Sequence, residues 1–159
     1  MTGPVLSPTA VSGLMLPTLG IRALWLGLAL LVWLVLAVPA SAQIVIYPKT
    51  GQRFALLGLG EPTVIVLNGL ASSIGEWMPV VRRVSAQTRV FVYERRGNGR
   101  SPVIASARGS RVIAEELLEM LDDLSIDGPY VLVGHSLGAV YAQTFTRLYP
   151  EEVAGLLLV

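Results

Sequence analysis

The chain has 159 residues, the size of one ordinary domain, and its lack of cysteine excludes a disulfide, a thiol nucleophile and a thiolate metal site. Its formal net charge of +1 is too small to indicate a nucleic acid or an acidic membrane surface as a partner. Hydrophobic residues make up 53% of the chain, and many of them lie in the first 42 residues, so that segment is separated from the rest.

Residues 23–38 form an uncharged apolar run that is preceded by a single charge at Arg22. Small residues follow at 40–42 (ASA), of the kind that a signal peptidase recognises. The run is shorter than the roughly 20 residues that a membrane span needs. We therefore predict that residues 1–42 are a signal peptide cleaved after Ala42, which makes the protein secreted or periplasmic. The alternative is an N-terminal anchor that holds the protein to a membrane through residues 23–38.

Short β-rich runs and one helical pattern open the remaining chain. Residues 44–47 and 54–57 predict an early hairpin, because turn-forming residues separate them. Residues 63–67 (TVIVL) are apolar and β-branched, as a strand covered on both faces of a sheet requires. Residues 76–86 carry apolar side chains at helical spacing, which predicts a helix.

The same alternation continues to the last residue. Strands are predicted at residues 89–93, 130–133 and 153–159, and helices at residues 110–124 and 137–149. Strands that alternate with helices across short loops indicate an α/β fold, with a mostly parallel sheet, right-handed crossovers and helices on both faces.

The sequence GHSLG at residues 134–138 matches the pattern G-x-S-x-G between a predicted strand and a predicted helix. The serine at the apex of such a turn has a strained backbone, and side chains at Gly134 or Gly138 would collide with the strand and helix. Ser136 would then stand at a helix N-terminus, where the dipole favours a developing oxyanion. A glycine-rich turn with an exposed, unreactive serine is the plainer alternative, and the strand–turn–helix context argues against it.

Three stretches in this order resemble the α/β-hydrolase fold family: 64–77 (VIVLNGLASSIGEW), 92–102 (VYERRGNGRSP) and 128–159. The resemblance covers residues 44–159. It implies that Ser136 is the nucleophile and that the backbone N–H groups of Leu137 and Leu70 form the oxyanion hole. It also implies hydrolysis of an ester, amide or related acyl bond of a small-molecule substrate through a serine acyl-enzyme, with neither a metal nor another cofactor.

The resemblance has departures. Asn68 stands where many members have histidine, and a backbone role for that loop makes the exchange tolerable. Glu94 stands where the family usually has aspartate, and we expect it to tie its loop together with the following arginines and glycines. A phosphate-binding loop is the rival interpretation of residues 96–100 (RGNGR), but they contain no G-x-x-x-x-G-K and do not open a helix.

Serine chemistry also needs a base and a carboxylate. The one histidine, His135, adjoins the nucleophile, and because neighbouring side chains diverge we expect it to pack at the turn. The aspartates at 122, 123 and 127 precede the strand at 130–133, so they belong at the opposite end of the sheet from Ser136. The family order of serine, acid and histidine places the other two groups beyond Val159.

We therefore expect residues 43–159 to be the N-terminal part of a truncated α/β-hydrolase domain that lacks the C-terminal strands and helices, and the chain itself to be inactive. Two other functions remain open. One is a nucleotide-binding module, although the turn at 134–138 lacks G-x-G-x-x-G. The other is a non-catalytic exported or membrane-anchored remnant that binds a ligand through a half-built cleft.

Overall fold

The computed structural model describes residues 43–105 and 108–159. The predicted signal peptide or anchor at residues 1–42 lies outside the described residues, so it stays a prediction. Among the helices in the described ranges, none combines the length and the apolar character that crossing a membrane requires.

The described residues form six strands and three α-helices. In chain order the strands are β1 (Val45–Ile46), β2 (Arg53–Leu57), β3 (Val64–Leu67), β4 (Val90–Glu94), β5 (Tyr130–Gly134) and β6 (Val153–Leu158). The helices are α1 (Ile74–Val84), α2 (Ser110–Asp123) and α3 (Leu137–Leu148), and a 3-10 turn, Pro150–Glu152, joins α3 to β6.

The six strands form one mixed sheet in the order β1-β2-β4-β3-β5-β6. β1 and β2 form the predicted antiparallel hairpin, and β2 also pairs antiparallel with β4. β4, β3, β5 and β6 run parallel to one another, which confirms the mostly parallel sheet. The carboxyl ends of the parallel strands therefore meet at one edge, and in open α/β sheets ligands bind at that edge.

Both faces of the sheet are covered by helices, as predicted. On one face Phe91 and Tyr93 of β4 pack with buried residues of α2 and α3, among them Leu117 and Phe145. On the other face Val92 packs with β2, β3 and α1. Alternate residues of a strand point to opposite faces, so β4 is buried along its whole length, which explains its continuous apolar sequence.

Helix α1 begins at Ile74, two residues before the predicted start at residue 76. The cause is a capping box that we did not use in the prediction: the Glu76 carboxylate accepts hydrogen bonds from the backbone N–H and the hydroxyl of Ser73, both at 3.2 Å. These bonds satisfy donors at the start of the helix and fix the first turn.

Candidate active site

Ser136 lies between β5 and α3, with φ of 52° and ψ of −122°. Residues other than glycine rarely adopt a positive φ, which costs of order 1–3 kcal/mol and concentrates at functional sites. The flanking glycines make the sharp turn sterically feasible. A Cβ at Gly134 would lie 2.7 Å from Ala139 Cα, and a Cβ at Gly138 would overlap with the carbonyl oxygen of Leu67.

Backbone hydrogen bonds hold this turn on both sides. The Ser136 N–H donates to the Val159 carbonyl at 3.0 Å, and the Val159 N–H donates to the Gly134 carbonyl at 2.9 Å. The Gly138 N–H donates to the His135 carbonyl at 2.8 Å. The Ser136 side chain is exposed, and its hydroxyl makes no hydrogen bond to any residue that the structure describes. The turn thus presents a free hydroxyl on a fixed backbone.

A second loop lies against Ser136 because of the sheet register. Leu67 at the end of β3 pairs with Gly134 at the end of β5, so the two chains leave the sheet side by side. The contact is close at Gly69, where a Cβ would lie 3.5 Å from Ser136 Cβ and 3.2 Å from His135 Nδ1. The loop after β3 and the turn after β5 therefore build one site.

Leu70 and Leu137 each carry a backbone N–H at this site. Within the described residues neither N–H donates a hydrogen bond, and both residues line one cavity of about 240 Å³. Ala71, next to Leu70, has a φ of 59°, so strained non-glycine backbone occurs in both segments of the site. Two free and rigidly held N–H groups beside a serine can stabilise an oxyanion on a substrate.

The orientation of the Leu70 N–H is fixed by Arg95. The Arg95 guanidinium donates to the Asn68 carbonyl at 2.6 Å, to the Asn68 side-chain oxygen at 2.8 Å and to the Gly69 carbonyl at 2.7 Å. The Asn98 side-chain amide adds a hydrogen bond to the Gly69 carbonyl at 3.0 Å. The Gly69 carbonyl and the Leu70 N–H belong to one planar trans peptide and point in opposite directions. Holding the carbonyl therefore directs the N–H away from Arg95.

Sequence reasoning did not find this role of Arg95 and Asn98. We assigned Arg95 to internal contacts of its own loop and gave Asn98 no role, whereas both side chains hold the neighbouring loop after β3. Arg95 is only 3% exposed, and its guanidinium carbon lies 4.8 Å from the centre of the Tyr141 ring. The sequence signal for this role was the pair Arg95 and Asn98, which follow β4. That signal becomes informative only when β4 is known to lie beside β3, because only then can these side chains reach the loop after β3.

Glu94 ties its own loop together, as its position in the sequence led us to expect. Its carboxylate accepts the Ile74 N–H at 3.1 Å and the Arg100 N–H at 2.8 Å, and the Arg53 guanidinium lies 3.6 Å away. The residue is 2% exposed. A Cβ at Gly99 would overlap with this carboxylate, which explains the glycine. The contacts of Glu94 therefore join β4 and its loop to the start of α1 and to β2.

His135 is exposed, and its ring is edge-on to Trp77 with 5.9 Å between the ring centres. No hydrogen bond joins its ring to Ser136 in the described part of the chain. Glu76 is nearby, and its pKa is lowered first by the hydrogen bond from the Ser72 hydroxyl, then by the Ser73 backbone and only last by the charge of His135. Glu76 is therefore engaged in the helix cap.

The aspartates at 122, 123 and 127 lie near the other end of β5. Asp123 accepts a hydrogen bond from the Tyr47 hydroxyl, and its carboxylate lies 2.5 Å from the Lys49 ammonium. Across residues 43–105 and 108–159 no carboxylate is hydrogen-bonded to His135. The same ranges contain no group of three or more histidine, aspartate or glutamate side chains that could hold a metal ion.

Comparison with known proteins supports the fold and the family. The model of a family described as alpha/beta hydrolase fold matches residues 62–159. A protein of Pantoea ananatis named "Putative carbamate hydrolase RutD" is 35% identical over 115 residues, which cover 71% of this chain and 40% of the relative.

Solved structures agree with this match. A marine microorganism esterase superimposes with a TM-score of 0.62 at 24% identity, covering 74% of this chain and 41% of its own. An N-acyl homoserine lactone degrading enzyme superimposes with a TM-score of 0.66 at 25% identity. The match covers 74% of this chain and 44% of that enzyme. The chain thus spans less than half the length of these relatives.

Proposed function

Because this chain belongs to the α/β-hydrolase fold family, we propose that the protein hydrolyses an ester, amide or related acyl bond with Ser136 as the nucleophile. Its substrate is a small molecule that carries such a bond. The names of the relatives fit this class of chemistry, since a carbamate is an acyl compound and a lactone is a cyclic ester.

The observation that carries the proposal is the position of Ser136. Its hydroxyl is exposed on a strained turn at the start of α3, beside the loop that carries Leu70. In the proposed reaction the serine oxygen attacks the carbonyl carbon, and the Leu70 and Leu137 N–H groups bind the oxyanion that forms. Collapse of this intermediate breaks the bond to the alcohol or amine, which leaves with the proton taken from the serine. Water then cleaves the acyl-enzyme, which releases the carboxylic acid and restores the serine. Donors that are fixed before the reaction stabilise this charge with little reorganisation.

The proposal also needs a base for the serine proton and a carboxylate that orients the base. In this proposal both come from sequence that follows Val159, in line with the family order of serine, acid and histidine.

A serine in place of an aspartate at the turn disfavours epoxide and haloalkane hydrolysis. Transfer of the acyl group to an acceptor other than water uses the same intermediate.

The test is the hydrolysis of p-nitrophenyl acetate by the protein expressed from the full reading frame that contains this chain. We expect a burst of p-nitrophenol equal to the enzyme concentration, and Ser136→Ala should remove the burst and lower kcat by at least about 10⁴-fold. Ser85→Ala, at the exposed end of α1, is the control and should leave both unchanged. A burst that survives in Ser136→Ala would refute the proposal, and the absence of any turnover would favour a non-catalytic remnant.

A further inference from the structure

The cavity that Leu70 and Leu137 line is also lined by three arginines, Arg95, Arg96 and Arg108. At about 240 Å³ it is slightly smaller than the roughly 300–1,000 Å³ of typical small-molecule sites. A substrate whose carbonyl oxygen met the two N–H groups would therefore have room in the cavity only for a small additional group.

The positive charges of this cavity are not balanced by the described residues. Arg108 is paired with Glu116, and it donates to the Arg96 carbonyl at 3.3 Å. The side-chain hydrogen bonds of Arg95 go to uncharged oxygens of Asn68 and Gly69. The Arg96 guanidinium has neither an ion pair nor a hydrogen bond in the described ranges. Among the described residues, a carboxylate therefore pairs with only one of the three guanidinium groups, that of Arg108.

Two of these arginines also have an unused buried donor. The Nε atoms of Arg96 and Arg108 are buried and have no acceptor among the described residues. The Arg108 side chain is only 10% exposed. A buried donor without a partner is unfavourable, and in native structures it commonly marks a bound water or ion. The pKa of Arg108 is lowered, first by burial and then by the charge of Arg96, as expected for two cations held close together.

We propose that this cavity binds an anionic oxygen group of the substrate, a carboxylate or a phosphate, with Arg96 as its principal ligand and Arg108 as the second. The proposal rests on the proposed function in one respect, because it makes the bound anion part of the acyl substrate. A guanidinium presents parallel N–H donors that match the oxygens of either group. An anion would also reduce the repulsion between Arg96 and Arg108.

The apolar part of the wall indicates that the anion belongs to an organic molecule. Val103 and Ile104 line the cavity together with Ile113 and Tyr141. A bare inorganic ion gains nothing from these side chains, whereas a short carbon chain would be shielded from water by them. The substrate class is therefore an acyl compound that bears a second, negatively charged group a few carbons from the reacting carbonyl.

The experiment is isothermal titration of the full chain carrying Ser136→Ala with glutarate, inorganic phosphate and the uncharged glutaramide, at low salt. The serine substitution removes any chemistry, so binding is measured independently of catalysis. We expect glutarate or phosphate to bind and glutaramide not to bind. Tighter binding of glutarate would assign the site to a carboxylate, and tighter binding of phosphate would assign it to a phosphoryl group.

Three arginine variants distinguish the site from general attraction to a basic surface. Arg96→Gln should weaken anion binding at least tenfold, and Arg96→Lys, which keeps the charge, should weaken it less. Arg111→Gln is the control, because Arg111 is an exposed arginine of α2 outside the cavity. Equal affinity in all variants, or no binding of either anion by a chain with an unchanged circular dichroism spectrum, would overturn the inference. Anion binding by the titrated variant, together with no burst from the protein that keeps Ser136, would refute only the proposed function.

Discussion

At the scale of single residues, the candidate site depends on how its peptide groups are oriented. Hydrogen bonds to one side of a peptide group fix the orientation of the other side. The Gly69 carbonyl is held by Arg95 and Asn98, and the N–H of the same peptide is left free at Leu70. The Ser136 backbone is held by Val159 in the same manner, and its side chain is left free. In our proposal these hydrogen bonds supply the rigidity that an oxyanion site needs before substrate arrives.

Substituting Gly138 tests the steric argument for the turn. We expect Gly138→Ala to lower the free energy of unfolding by about 3 kcal/mol, because its Cβ would overlap with backbone atoms of β3, which cannot rotate away. Thermal denaturation followed by circular dichroism measures the effect. Gly75→Ala in α1 is the matched control, since its nearest neighbour is Ser73 Oγ at 3.6 Å, and it should be neutral or slightly stabilising. Similar melting temperatures for the two variants would contradict the account.

Substituting Arg95 tests whether it positions the Leu70 N–H. We expect Arg95→Lys, which cannot hold the Asn68 and Gly69 carbonyls together, to lower kcat by about 10²-fold while KM changes little. Asn98→Ala removes one of two donors to the Gly69 carbonyl and should have a smaller effect in the same direction. Steady-state kinetics of the full-length protein with p-nitrophenyl acetate give both constants. An equal loss in both variants, or a change confined to KM, would show that Arg95 has a different role.

At the scale of elements, periodicity in the sequence predicted every strand and helix of the described residues to within a few positions. Continuous apolar runs predicted β3, β4 and β5, and apolar residues at helical spacing opposite an acidic face predicted α2. The order of the strands was not accessible from local pattern, because pairing of β4 with both β2 and β3 depends on contacts distant in sequence. Ser136 could be predicted because its motif is contiguous in the sequence. The contact of Arg95 with the loop after β3 could not be predicted, because it depends on the order of the strands.

Contacts between elements also make a prediction about pH. The pKa of Asp123 is lowered, first by the hydrogen bond from Lys49 and then by that from Tyr47, so this carboxylate joins the end of β1 to α2. A lowered pKa means that the stabilisation is complete above the ordinary carboxyl value of about 4 and is lost as pH falls through the lowered value. We expect the melting temperature of the unsubstituted protein to exceed that of Asp123→Asn at pH 7 and pH 5, and the difference to shrink as the pH falls below about 4.

The comparison is made by thermal denaturation at pH 7, 5 and 3. Glu115→Gln is the control, because Glu115 is an exposed carboxylate that lies 3.9 Å from Arg111 on the same helix. Exposed pairs of this kind contribute little, so this variant should follow the unsubstituted protein at each pH. A difference between the unsubstituted protein and Asp123→Asn that grew as the pH fell would have the wrong sign and would contradict the assignment.

At the scale of the whole molecule, residues 1–42 are the basis for predicting where in or outside the cell the protein is found. We propose that they direct export, and that cleavage after Ala42 leaves Gln43 as the first residue. Mass spectrometry of the N-terminal peptide of protein from the producing cells checks the site. Ala42→Lys should block cleavage, because the peptidase requires a small residue there, and should leave the protein in the membrane fraction. A soluble protein that retained Met1 would contradict export.

The central claim is that Ser136 is a nucleophile activated by its surroundings. The most direct measurement is to treat the full-length protein with a fluorophosphonate and to locate the adduct by mass spectrometry of its peptides. The account predicts one adduct per molecule, on Ser136, and no adduct in Ser136→Ala. Labelling of a different serine, or equal labelling of both proteins, would contradict it.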